Sequence, residues 1–115
     1  MTKIKPKIHL DISENLVIKT NSEREAIELM RVFECADWRR DNEKLPTEKS
    51  VWQYSIFSNC FEAGINIYGK IKKFGYASEN YYKYRKYKII DFEDFLKKEI
   101  TSQEIKKINS YFESL

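Results

Sequence analysis

The sequence predicts one α+β domain spanning residues 1–115, with a small antiparallel sheet of about five strands. Helices pack on one face of this sheet, and two helices stand at the C-terminus. Apolar residues alternate at every second position in several short runs, as in strands, and recur every three or four positions in longer runs, as in helices. Two S/T-x-x-E capping boxes mark where helices begin. At 115 residues, 42% of them hydrophobic, the chain is long enough to bury one core.

The first third of the chain predicts two strands and a helix. Apolar and polar residues alternate over 8–12 and again over 16–19, which favours a hairpin or a bent pair of strands. Ser22 and Glu25 form a capping box, and apolar residues then follow at helical spacing. The sequence therefore predicts a helix from about residue 22 to 36.

The middle of the chain predicts a loop and a hairpin. Residues 37–50 are mostly polar and form a loop long enough to suggest a functional segment. Alternation over 52–56 and over 65–71 predicts two strands, which 59–64 connect as an antiparallel hairpin.

The last third predicts three helices and one strand. Ser78 caps a short helix through about residue 85, and a short strand lies around 87–89. Asp91 caps the next helix, and Thr101 and Glu104 form the capping box of the last one. The predicted order is β-β-α-loop-β-β-α-β-α-α.

The stretch 70–88 is the most informative part of the chain for function. Seven of its 19 residues are Lys or Arg, five are Tyr, and only Glu79 is acidic. Three interpretations remain open: a solvated face with half-packed tyrosines, a nucleic-acid contact, or a docking surface for an acidic protein. The predicted partner-binding residues are Lys70, Lys72, Lys73, Tyr76, Tyr82, Lys83, Arg85, Lys86 and Trp38. For Trp38 two placements are open, at the edge of the core or as an exposed anchor.

No pattern for catalysis or metal binding occurs. The single histidine, His9, sits in strand alternation, and Cys35 and Cys60 lie beside apolar residues, as buried thiols do. C-x-x-C and H-x-x-x-H spacings, glycine-rich phosphate loops and the G-x-S-x-G turn are all missing. We therefore expect no enzyme activity, no cofactor and no metal. No signal peptide or apolar run of membrane-spanning length is visible, so we expect no membrane partner and a cytosolic location.

Two segments together resemble small phage and prophage proteins, over roughly residues 15–96. One is the capped helix near Trp38 with its polar loop and the Trp52-x-Tyr54 strand. The other reads SENYYKYRKYKIIDFEDFL over 78–96, a short Tyr-rich helix leading into a strand and a Phe-x-x-Phe-Leu helix. This sequence departs from the common form at the end of the first helix, where residues 34–37 read ECAD in place of a frequent glycine. It also carries a helix beyond Leu96.

The resemblance implies an origin in a phage or mobile element, and some proteins of this kind inhibit bacterial defence, as anti-CRISPR proteins do. It thus implies a stoichiometric inhibitor of a host protein complex, such as a CRISPR effector, working in the host cytoplasm without catalysis. The alternative is a nucleic-acid-binding protein that contacts phosphates with residues 70–88.

Overall fold

A five-stranded mixed sheet forms the centre of the fold. The computed structural model describes residues 4–10, 16–40, 45–47, 59–65 and 72–115. In chain order the elements are β1 (Leu16–Lys19), α1 (Glu23–Cys35), β2 (Trp38–Arg40), β3 (Cys60–Ile65), β4 (Lys72–Ala77), α2 (Glu79–Tyr84), β5 (Lys88–Asp91), α3 (Phe92–Glu99) and α4 (Ser102–Glu113). The strand order is β2-β4-β3-β1-β5. The α+β class, the five strands and the two C-terminal helices are confirmed.

The prediction of an antiparallel sheet is wrong for two of the four strand pairings. β3 lies antiparallel to β1 and to β4, whereas β5 runs parallel to β1 and β2 runs parallel to β4. The alternating pattern identifies a strand but says nothing of its direction. Direction depends on which distant strand becomes its neighbour, and each parallel pair here is joined by a long crossover.

The prediction that helices cover one face of the sheet is also wrong, because they cover both faces. α1, α3 and α4 pack on one side, where the core includes Ile18, Phe61 and Phe74. α2 packs on the other side, where Tyr82 meets Val17 and Cys60. The central strands are therefore buried on both faces.

The helix starts follow the predicted caps. The hydroxyl of Ser22 accepts a hydrogen bond from the backbone N–H of Glu25 at 3.1 Å. Thr101 and Glu104 form a complete capping box, with bonds of 3.1 and 3.0 Å. Asp91 occupies the N-cap position of α3, but its side chain makes no capping bond to the described first turn.

Several strands have bounds that differ from the predictions. Residues 8–10 form no strand; the N–H of Ile8 bonds the carbonyl of Cys35 at 3.1 Å, and Leu10 is buried in the core. The middle of the chain does contain an antiparallel hairpin, but it is not the predicted one: β3 at 60–65, where a connection is predicted, pairs with β4 at 72–77. Cys60 and Phe61 are both buried, on opposite faces of the sheet. β3 therefore lacks the alternation of apolar and polar residues that identifies a strand, and the sequence predicts a connection there.

Two further predictions concern the middle of the chain. The predicted polar loop begins instead with β2 at Trp38, and the predicted strand at 52–56 lies outside the described residues. Within the described ranges, no helix has the length and apolar character needed to cross a membrane.

Candidate functional site

The short helix α2 carries the most exposed part of the basic, tyrosine-rich stretch. Ser78 begins the helix by accepting a hydrogen bond from the N–H of Tyr81 at 3.2 Å. Tyr82 points inward and is only 2% exposed, and it packs beside Val17 and Cys60. Because this one ring anchors α2 to the sheet, the residues on either side of it are directed away from the sheet.

A Schellman motif ends α2 and fixes the turn that follows. The N–H of Lys86 bonds the carbonyl of Lys83, and the N–H of Tyr87 bonds the carbonyl of Tyr82, both at 3.0 Å. The rings of Tyr82 and Tyr87 meet edge to face, with centroids 5.4 Å apart, which supplies the apolar contact typical of this motif. Lys86 takes the left-handed position, with φ of 63°, where glycine is the usual residue.

The exposed residues in the last turn of α2 and in the turn that follows are here called the α2 surface: Tyr81, Tyr84, Arg85 and Lys86. The ring of Tyr84 is 87% exposed and that of Tyr81 is 46% exposed. The guanidinium of Arg85 lies over the Tyr81 ring, 5.6 Å from its centroid. Arg85 and Lys86 form no ion pair with any described residue. The group thus combines aromatic faces with positive charges that no described carboxylate neutralises.

Lys83 differs from its neighbours because it forms an ion pair within the chain. Its ammonium lies 3.4 Å from Glu79, whose other oxygen lies 3.2 Å from the ammonium of Lys19. The hydrogen bond from Lys19 lowers the pKa of Glu79 below its ordinary value, and the same bond raises the pKa of Lys19. Glu79 therefore stays ionised and partly neutralises Lys83, so we leave Lys83 out of the α2 surface.

Two of the predicted contact residues are buried and cannot meet a partner in this fold. Trp38 is 1% exposed and packs against Phe33, with ring centroids 5.8 Å apart. It therefore closes the core, which is the first of its two predicted placements. Tyr82 is the anchor of α2, as described above. Their large apolar rings stabilise the protein by burial, and the prediction that they contact a partner is wrong.

The structure separates Tyr76 from the α2 surface. Tyr76 is 42% exposed, but it lies on the sheet face of Phe61, with ring centroids 6.2 Å apart, and α2 packs on the opposite face. Lys72 and Lys73 are in β4, and Lys70 lies outside the described residues. Of the predicted set, Arg85 and Lys86 belong to the α2 surface.

Tyr81 and Tyr84 belong to the α2 surface but were not among the predicted contact residues. A signal for both exists in the sequence. If Tyr82 faces inward in a capped helix of six residues, position 84 must lie on the outer side of the helix and position 81 on its flank, because successive residues are about 100° apart. Which of the tyrosines faces inward depends on the sheet beneath, however, and that is not a local property.

The thiols and the histidine show no arrangement for catalysis. Cys35 and Cys60 are free and buried, and burial raises the pKa of each thiol to about 11. Such thiols are protonated and poorly nucleophilic at neutral pH. His9 is exposed, and no group of three or more metal-binding side chains occurs among the described residues.

Comparisons with known proteins identify no relative of this chain. No protein-family model matches it, no curated protein is detectably similar, and no solved structure shares its fold at a significant level. The α2 surface is therefore the feature of the described residues from which a function can be proposed.

Proposed function

We propose that this protein acts by binding a partner macromolecule through the α2 surface, as a stoichiometric inhibitor of a host defence complex. The observation that carries the proposal is the exposed Tyr84 ring beside Arg85 and Lys86 on a helix end fixed by a Schellman motif. The resemblance of residues 78–96 to phage and prophage proteins supports the choice of a defence complex, of the kind that anti-CRISPR proteins inhibit.

Preorganisation is the physical reason why this surface suits tight binding. Tyr and Arg are the residues that most often dominate the binding energy of protein interfaces. Ordering a mobile loop on binding weakens affinity, whereas α2 is already held by its cap, its buried Tyr82 and its closing turn. The positive charge of Arg85 and Lys86 favours a partner with an acidic surface.

Nucleic acid is the second candidate partner, and the interleaving of rings and cations favours it. Tyr84 is 87% exposed, so a base can stack on its ring, and Arg85 and Lys86 follow it in the chain as cations that can contact phosphates. For single-stranded DNA, log K should then fall with log salt at about −0.7 per phosphate, or roughly −1.4 for two contacts. Nuclease treatment also separates the two candidates, because it destroys a nucleic-acid partner and leaves a protein partner bound.

Affinity capture from a bacterial lysate, with and without nuclease, tests these two functions. We expect the tagged protein to enrich the same protein complex in both samples. Tyr84→Ala and Lys86→Gly should each abolish most of that enrichment. Lys86→Gly is a suitable variant because glycine fits the left-handed turn, so we expect it to remove the charge and keep the turn folded, which its Tm checks. Lys98→Gln removes an exposed charge from α3, away from the α2 surface, and should bind as the wild type does.

Two results would contradict the inhibitor proposal. Enrichment that disappears on nuclease treatment would mean that the α2 surface binds nucleic acid and that the proteins were carried along. Enrichment that Tyr84→Ala and Lys86→Gly leave intact would mean that another surface binds the partner. Inhibition itself is tested by adding the protein stepwise to the captured complex and measuring the activity of the complex. A stoichiometric inhibitor lowers that activity in proportion to the amount added and abolishes it at about one equivalent.

A further inference from the structure

A groove between the N-terminal segment and α4 is a second surface with the properties of a binding site. Its volume is about 670 Å³, within the range of ligand sites. Along α4 the lining residues are Lys107, Ser110, Tyr111 and Ser114, spaced so that they form one continuous stripe. Ile4 and Pro6 form the facing wall, and Lys106 stands at the same end of the groove as Lys107.

The groove has an apolar wall and a positive end. Ile4 is 86% exposed, and Tyr111 is half-buried, so a ligand that covers them removes apolar surface from water. Serines at 110 and 114 keep the path along the helix open because their side chains are short. Neither Lys106 nor Lys107 forms an ion pair with a described residue. The groove thus offers apolar contact along its length and two uncompensated cations at one end.

This groove is separate from the α2 surface. α4 packs against α1 on the sheet face that contains Phe61, whereas α2 covers the opposite face. A ligand in the groove therefore need not displace a partner on the α2 surface, and the inference holds whether or not the proposed function is correct.

We propose that the groove binds a short extended peptide segment of another protein, with carboxylates at one end and apolar side chains at the other. The charge complementarity comes from Lys106 and Lys107. From residue 106 to 114 α4 rises about 12 Å, which matches roughly four residues of extended chain. A nucleic acid is a poorer fit, because its backbone carries a phosphate at every nucleotide and the groove has cations at one end alone. The exposed Ile4 leaves the groove open along one side, which suits a peptide better than an acyl chain that needs enclosure.

The test is an NMR titration of the ¹⁵N-labelled full chain with the acetylated and amidated tetrapeptide Asp-Glu-Leu-Phe. We expect saturable shifts at the backbone N–H groups of Ile4, Ser110 and Tyr111, with a Kd below about 1 mM. The neutral peptide Asn-Gln-Leu-Phe should bind roughly 5-fold more weakly or worse, because it lacks the charges that Lys106 and Lys107 attract.

Variants of the chain locate the binding. Lys107→Glu should weaken the acidic peptide by roughly 10-fold and leave the neutral peptide unchanged. Ser110→Phe fills the groove and should abolish binding of both peptides. Lys98→Glu makes the same charge change outside the groove, on α3, and serves as the matched control. Thermal melting confirms that each variant is folded before it is titrated.

Each of four results would overturn the proposal. The first is an absence of shifts up to about 5 mM peptide, and the second is shifts on the α2 surface in place of the groove. The third is that sodium decanoate shifts the same N–H groups at lower concentration than the peptide, which would identify an anionic amphiphile as the ligand. The fourth is that the same N–H groups shift on dilution without peptide, which would mean that a second copy of the chain fills the groove.

Discussion

Replacing Tyr82 and Tyr84 separately by alanine tests how α2 is held on the sheet. Both changes remove the same side chain from the same helix, but Tyr82 is 2% exposed and Tyr84 is 87% exposed. A buried aromatic ring withdraws roughly 200 Å² from water, which gives an upper bound of about 5 kcal/mol at 25 cal/mol/Å². Truncating a buried aromatic residue to alanine typically costs about 3–5 kcal/mol, so we expect Tyr82→Ala to destabilise the protein by about 4 kcal/mol. Tyr84→Ala should change the stability by about 0.5 kcal/mol at most.

Thermal unfolding followed by circular dichroism measures the difference. For a chain of 115 residues the unfolding entropy is about 0.24 kcal/mol/K, so Tyr82→Ala should lower Tm by about 17 °C. Tyr84→Ala should move Tm by about 2 °C at most. If the two variants melted within about 5 °C of each other, Tyr82 would not be the anchor of α2. The outward position of the Tyr84 side chain could then not be attributed to the burial of Tyr82.

Three further predictions concern other parts of the chain. The buried Glu34 accepts a hydrogen bond of 2.6 Å from the hydroxyl of Thr47, so Glu34→Ala should lower the free energy of unfolding in urea by about 1.5–3 kcal/mol; a loss below about 0.5 kcal/mol would contradict this. The pKa of the Cys35 and Cys60 thiols is about 11 in the folded chain and near 9.0 when unfolded, so the folded state holds their protons longer and stability should fall as pH rises from 9 through 11. Urea midpoints across that range check the direction, and a midpoint that rises would contradict it. Lys86→Gly should raise Tm or leave it unchanged, since it relieves a left-handed lysine, and a clear fall in Tm would mean that the lysine side chain itself stabilises the turn.

The helices could be predicted from the sequence because their signals are local. Ser22, Ser78 and Thr101 stand at helix starts, and each accepts the capping bond that the spacing predicts. Periodicity over the following residues identifies the buried side of each helix without knowledge of the rest of the fold.

The strands were harder to predict because their burial depends on distant elements. Val17 and Ile18 are both fully buried, and so are Cys60 and Phe61, because helices cover both faces of the sheet. A strand buried on both faces loses the alternation that reveals it. β2 is only three residues long and contains two arginines, so nothing in its composition distinguishes it from a loop.

The candidate site could be predicted as a segment but not as a surface. Composition identified residues 70–88, and the α2 surface lies within them. Composition alone does not show that Tyr76 and Tyr84 lie on opposite sides of the sheet, because that depends on α2 crossing to the face away from α1. For the same reason the inward direction of Tyr82 was not predictable.

The position of β1 between β3 and β5 has a consequence for how the chain folds during synthesis. Leu16 pairs with Ala63 on one side and with Lys88 on the other, so the centre of the sheet joins segments separated by about seventy residues. At typical translation rates β5 is made roughly 4–14 s after β1. α1 can form within that interval, but β1 has no strand at its β5 edge until the Tyr-rich helix and the strand behind it have emerged. Folding of the sheet is therefore coupled to synthesis of the same segment that carries the α2 surface.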